Sequence, residues 1–192
     1  MTQSPLLFLV GGPKRTGKSI IGRRFNARTG VSVVSSDDVI GMLEVAAPAL
    51  GIGHDTATTW RVNRDLCAPF LEAFAEIRCR RGLPVLIEGE LLPESVGRLL
   101  EWHGCLVRAC FVGDIAASAE SKYETLVEHI KREPLDWLWG YSEAQISRIA
   151  KEILEDSREY EQAAGELEIP FFDMQPDFEA AVDRVVNYLV DS

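Results

Sequence analysis

Gly12-Pro13-Lys14-Arg15-Thr16-Gly17-Lys18-Ser19 fits the pattern G-x-x-x-x-G-K-S, and its reading decides the fold. The apolar run Leu6–Val10 precedes it, and Ile20, Ile21 and Phe25 follow at helical spacing, so the octet is expected to join a strand to a helix. Chemistry explains the spacing. Glycines let the backbone wrap tightly, and successive N–H groups then converge on an anion. The helix that opens near Lys18 adds its positive end. Lys18 would reach the β and γ phosphates of a nucleotide, and the Ser19 hydroxyl would face Mg²⁺. The backbone of Pro13, Lys14, Arg15 and Thr16, between Gly12 and Gly17, would complete the cradle.

Outward from this loop, short apolar runs alternate with longer helical patterns. After Leu6–Val10 come Val31–Ser35, Val85–Ile87, Leu106–Val112 and Ile169–Phe172. Leu66, Phe70, Phe74 and Ile77 repeat at helical spacing, with Gly82 as the expected stop. Ser142 and Gln145 make a capping box ahead of Ile146, Ile149 and Ile153, and Gly165 is expected to end that helix. Asp177 caps a last helix whose inner face is Phe178, Val182, Val185 and Leu189. Such alternation predicts an α/β three-layer sandwich: five mostly parallel strands between helices, the last strand at an edge because of Pro170. Ligands bind such sheets beyond the carboxyl ends of the strands. There the sequence places Asp37 and Asp38, Glu88 and Glu90, Asp114, and Asp173. Asp114 and Asp177 are explained as helix caps.

Composition bounds the rest. The 192 residues suit a single domain. No apolar run approaches the ~20 residues of a membrane span. The first basic residue, Lys14, follows the first apolar run, the reverse of a secretory signal, so a cytoplasmic location is expected. Cys67, Cys79, Cys105 and Cys110 form no Cys-x-x-Cys pair, and four reduced, mostly buried thiols are expected. The net charge of −10 argues against nucleic acid as a bulk partner. Yet residues 1–36 carry six basic side chains and no carboxylate, which suggests a local anion site on an acidic body. Arg23, Arg24 and Arg28 are read as a solvated helix face.

The octet is the Walker A motif, and the remaining sequence chooses among its users. No Asn-Lys-x-Asp base-reading motif for GTP is present, and no signature of a larger transporter-type ATPase. Three segments instead resemble the small P-loop kinases built like nucleoside monophosphate kinases, among them shikimate and gluconate kinases, chloramphenicol phosphotransferase, zeta toxins and 2-phosphoglycerate kinase-like proteins. They are Gly12–Ser19, Val34-Ser35-Ser36-Asp37-Asp38, and Val85 through Pro93. The resemblance implies one P-loop NTPase domain over residues 1–192, with an acceptor-binding helical region at about 38–82 and a helical lid at about 114–145.

It also implies roles. Asp37 would bind the acceptor hydroxyl and act as catalytic base, with Asp38 the weaker candidate. Glu88 would stand near Mg²⁺ or the acceptor, and Arg61 and Arg64 on the acceptor-binding helix would grip a substrate phosphate or carboxylate. Lys122, Arg132 and Arg148 would be lid cations closing over the phosphates, with Arg132 taking part in catalysis. Many relatives have an arginine where this chain has Lys122. Met174, Gln175 and Pro176, in the loop after the last strand, would lie against the adenine. Trp137 and Trp139 are read as lid packing. The expected activity is an ATP- and Mg²⁺-dependent kinase that transfers the γ-phosphoryl group to a hydroxyl or phosphate of a small molecule. The alternative is a nucleotide-dependent switch or assembly ATPase, or a nucleotide-binding protein with no acceptor.

The loop assignment is tested most directly at its lysine. Lys18→Ala is expected to abolish the rise in melting temperature that ATP–Mg²⁺ gives the wild type, with the circular dichroism of the fold unchanged. A variant stabilised by ATP–Mg²⁺ as much as the wild type refutes the assignment.

Overall fold

The computed structural model describes residues 7–53, 60–102, 104–133 and 136–191, with only the backbone described for 60–62. Strands β1 (Leu7–Gly11), β2 (Ser32–Ser35), β3 (Val85–Gly89), β4 (Val107–Gly113) and β5 (Phe171–Asp173) form one sheet in the order β2-β3-β1-β4-β5. Every pairing is parallel. The chain leaves β1 toward β2 on one side and crosses from β3 to β4 on the other. The crevice of a doubly wound sheet therefore opens at the carboxyl end of β1, where the glycine-rich octet begins.

Alternation along the strands builds two cores. Leu7 and Leu9 of β1, Val85 and Ile87 of β3, and Ala109 and Phe111 of β4 face one side. They pack there against α2 (Ser36–Ala46), α3 (Trp60–Arg80), α4 (Pro93–Glu101) and α6 (Glu143–Glu166). Phe8, Val10, Leu86, Cys110 and Val112 face the other side, against α1 (Lys18–Thr29) and α7 (Phe178–Val190). Period-two side-chain placement in a sheet covered on both faces makes both sets apolar, so the strands read as continuous hydrophobic runs. A third cluster, with Leu126 of α5 (Ala119–Arg132), Leu138, Ile146, Ile149 and Ile153, joins α5 to α6 beside the main body.

The capping expectations hold at Ser142, where the reciprocal box with Gln145 is formed, and at Asp177, which accepts from the Ala180 N–H at 3.1 Å. Elsewhere the structure corrects the sequence. Asp114 caps no helix; Ser118 caps α5, and Asp114 is buried against Lys122. Gly165 lies within α6, and Glu168 takes the left-handed turn beyond it. The repeat Leu66, Phe70, Phe74 and Ile77 finds α3. Leu66, Phe70 and Ile77 are exposed and Phe74 is partly buried, whereas Cys67, Leu71, Ala75 and Cys79 enter the core. Cys79 and Cys105 are joined in a disulfide, their Cα atoms 5.8 Å apart, in place of two thiols. The chain returns from β3 and α4 to the end of α3, a closure that 26 residues of separation do not announce. Among the described residues no helix is long and apolar enough to cross a membrane.

The edge that carries the acidic residues depends on one glycine. Gly89 ends β3 at φ 151°, and a Cβ there would stand 1.9 Å from Ser36 Oγ and 2.7 Å from Ser36 Cβ at the start of α2. Gly89→Ala is expected to destabilise the fold by about 1–3 kcal/mol through backbone strain and this clash. Urea unfolding of the two proteins measures it, and an unchanged midpoint refutes the close approach.

Candidate active site

The octet wraps around a buried ammonium. Lys18 is 7% exposed, and its Nζ donates back to the Pro13 carbonyl at 2.5 Å, as does Thr16 Oγ1 at 2.8 Å. Gly17 precedes the helix at φ 89°, a left-handed conformation open to glycine, and a Cβ there would meet the Phe178 ring at 2.6 Å. Burial pulls the Lys18 pKa below its ordinary value, while Glu90, Glu88 and Asp37 pull it back up. The free N–H groups of the first turn of α1 and this lysine thus face one volume.

That volume is a cavity of about 670 Å³ at the carboxyl edge of the sheet. Lys14, Arg15, Lys18, Arg23, Lys122 and Arg132 line it from the loop, α1 and α5. Asp37, Glu88 and Glu90 line it from the ends of β2 and β3. The parallel sheet places them there: β2 pairs with β3 so that Ser35 stands opposite Glu88. Asp37 is in the first turn of α2, its N–H bonded to Ser35 Oγ at 3.3 Å, so Ser35 rather than Asp37 caps that helix. Asp38 is exposed and is not among the lining residues.

Glu88 is 3% exposed and accepts from Ser19 Oγ at 3.0 Å. Burial raises its pKa, opposed by the Lys18 charge and by hydrogen bonds from Ser19 and Ser35. A hydroxyl and a carboxylate in contact at the mouth of the loop are hard oxygen donors of the kind Mg²⁺ takes alongside water and phosphate oxygens. Arg64 comes in from α3. Its Nη2 donates to Asp37 at 2.7 Å and to Glu90 at 2.9 Å, and Nη1 reaches Ser36 Oγ at 3.4 Å. Burial works against its charge, but Glu90 and then Asp37 outweigh burial and raise the pKa above the ordinary value. Glu90 was not singled out for a role from sequence; its place two residues beyond Glu88 at a strand end is the signal that was there.

The lid cations divide three ways. Lys122 is buried, with its Nζ on the Asp114 carboxylate and, at 2.8 Å, on the Arg15 carbonyl. It therefore ties α5 to the loop, where Arg15 holds a positive φ of 62°, and is not a free cation waiting for phosphate. Arg132 lines the cavity and pairs with Glu128 one turn away. Arg148 pairs with Glu152 on the surface of α6 and is not among the lining residues. The loop's own cations are engaged as well: Arg15 with Asp136 at 2.5 Å, and Lys14 with Glu152 at 3.0 Å. Asp136, nearly fully buried, also takes His129 Nε2 at 3.1 Å and the Leu138 N–H. Trp137 lies under Arg15 at 5.2 Å and edge-on to Tyr141, at the cavity wall. Asp156, half-buried on α6, has its pKa pushed up to about 6 by burial, against the attraction of Lys14.

The loop after β5 holds a further correction. Met174 is fully buried in the core beside Gly17 and does not reach the cavity. Gln175 and Phe178 line the cavity wall, and Pro176, which follows a cis peptide bond, does not. Asp173 accepts from the N–H groups of Ile115, Ala116 and Gln175 and so fastens this loop to the one after β4. Arg23 lines the cavity, whereas Arg24 pairs with Glu179 and Asp183 and Arg28 contacts Asn187, so the solvated face expected for all three is divided. The Arg61 side chain lies outside the described residues.

No family model and no curated protein matches the sequence. Solved structures do resemble the fold. A gluconokinase from Sinorhizobium meliloti superposes with a TM-score of 0.59 at 18% identity, covering 97% of this chain and 93% of the other. A shikimate kinase from Bacteroides thetaiotaomicron gives 0.59 at 14%, covering 98% and 100%. A sugar kinase from Janibacter gives 0.55 at 17%, covering 97% and 95%. The fold is that of the small P-loop kinases.

The Lys122–Asp114 pair is the buried contact on which the loop's outer turn leans. Lys122→Met is expected to cost about 3–5 kcal/mol in unfolding free energy, because it strands the Asp114 carboxylate without its cation. Adding Asp114→Asn to that variant should recover part of the loss, since the stranded charge is then gone. Equal midpoints for wild type and Lys122→Met in denaturant would refute the pair.

Proposed function

We propose that the protein is an ATP-dependent kinase that transfers the γ-phosphoryl group to a hydroxyl of a small molecule. One observation carries the reading: a single cavity is lined by a phosphate-cradling loop with its lysine and by a carboxylate, Asp37, in the first turn of α2 just beyond β2. An assembly that only hydrolyses nucleotide has no need of a second compartment lined by Asp37, Glu88 and Glu90. The sugar and shikimate kinases among the structural neighbours lend support at the level of fold.

In this reading the loop N–H groups and Lys18 hold the β and γ phosphates and offset charge as it develops on the leaving oxygen. Mg²⁺, held by Ser19 and Glu88, would supply further neutralisation of the phosphate oxygens. Asp37 accepts the acceptor hydroxyl's proton as its oxygen bonds to the γ phosphorus and the bond to the ADP oxygen breaks. Arg64 positions Asp37, and Arg132 is the lid cation best placed to reach the phosphates. Residues 38–82 form the acceptor side and residues 114–145 the lid, with Gln175 and Phe178 on the wall where the base would lie.

Asp37→Asn keeps the shape and removes the basicity. It is expected to lower phosphoryl transfer at least ~100-fold while ATP–Mg²⁺ affinity stays within about twofold. Transfer from γ-labelled ATP and nucleotide affinity, measured side by side, decide it. Near-normal transfer by the variant rejects Asp37 as base. Hydrolysis by the wild type with no phosphorylated product would favour a switch ATPase.

A further inference from the structure

The cavity is divided by charge, and the division bears on the acceptor. Its cations belong to the loop, α1 and α5, where Asp114 and Glu128 are paired with Lys122 and Arg132, whereas the ends of β2 and β3 contribute Asp37, Glu88 and Glu90. Among the described residues the cation paired with those carboxylates is Arg64, and it is already engaged. One terminal nitrogen serves two carboxylates, Asp37 at 2.7 Å and Glu90 at 2.9 Å. Its Nε is shut off from solvent and has no partner, and Arg64 is absent from the cavity lining. An arginine that grips a substrate carboxylate or phosphate must offer its fork to the substrate. This one offers it to the protein. An acceptor lying against Asp37 would therefore meet acceptor oxygens that carry negative charge.

We infer that the phosphoryl acceptor is a polyol without carboxylate or phosphate groups, neutral or bearing an ammonium group, and that Glu90 selects it. The inference rests on the kinase reading above and specifies its substrate class. Asp37 takes the proton of the attacking hydroxyl. Glu90, only 13% exposed in its side chain, accepts from a second hydroxyl or an ammonium, and it repels an anion at the same place. Glu90 also blocks Arg64 from acting as an anion receptor. This departs from the grip on a phosphate or carboxylate expected for Arg64 from sequence.

The test uses the full chain with γ-labelled ATP–Mg²⁺ and a protein-free small-molecule extract divided at neutral pH by an anion exchanger. One pool is retained (acids and phosphates); the other passes through (neutral and cationic molecules). Labelled organic phosphate is expected with the unretained pool alone. Glu90→Gln is expected to raise the apparent KM for that pool at least ~10-fold, the scale of a lost hydrogen bond to a charged group, with the KM for ATP within about twofold. Labelled product from the retained pool overturns the inference and leaves the kinase reading standing. So does a Glu90→Gln variant with an unaltered KM for the unretained pool. Release of inorganic phosphate at one rate with either pool, and no organic product, overturns the kinase reading itself and the inference with it.

Discussion

The burial of one ammonium group governs this structure. Lys18 is almost out of water, and a buried cation is costly unless something answers its charge. The answer comes from the Pro13 carbonyl at 2.5 Å and from the carboxylates at the ends of β2 and β3. Those carboxylates are in place because the sheet is parallel and β3 lies between β1 and β2. The strand order is thus what lets the loop exist with its lysine inside.

From that arrangement follows a division of labour among the charges. The loop's other cations are tied to α6 and to the segment between α5 and α6: Lys14 to Glu152, and Arg15 to Asp136. Lys122 fastens the Arg15 carbonyl to α5. Arg64 fastens Asp37 to Glu90. Each pair is at least partly shielded from water, where ion pairs are screened less than on the surface, so each fixes a position. The cavity that remains has a cationic end formed by the loop and α5, and an anionic end formed by two strand termini.

Much of this was legible in the sequence, for local reasons. The octet, the strand runs, the box at Ser142 and the cap at Asp177 are interactions between residues a few positions apart, and their chemistry is fixed by residue type and spacing. Asp37 and Glu88 could be named because each comes at the end of an apolar run, and in a parallel sheet strand ends share an edge. The errors are all of one kind. Asp114 was read as a cap because Lys122 is its partner only after α5 folds back. The core-facing side of α3 was not identified, because the buried Cys67, Ala75 and Cys79 give a weaker apolar signal than the exposed Leu66, Phe70 and Ile77. Met174 was placed at the base because the resemblance puts the loop after the last strand there, yet Gly17 and the α7 core close over it.

The glycine-rich loop, the alternation of strands and helices, and the carboxylates at the strand ends follow from the sequence alone. These depend on backbone geometry and residue chemistry over a few positions. The tertiary structure alone decided which charges meet: Arg64 with Asp37 and Glu90 across 27 and 26 positions, Arg15 with Asp136 across 121, and Lys14 with Glu152 across 138. It also decided that Cys79 and Cys105 are bonded. Pairing at such separations is set by how helices pack on a twisted sheet, and no local pattern in the chain encodes the partner.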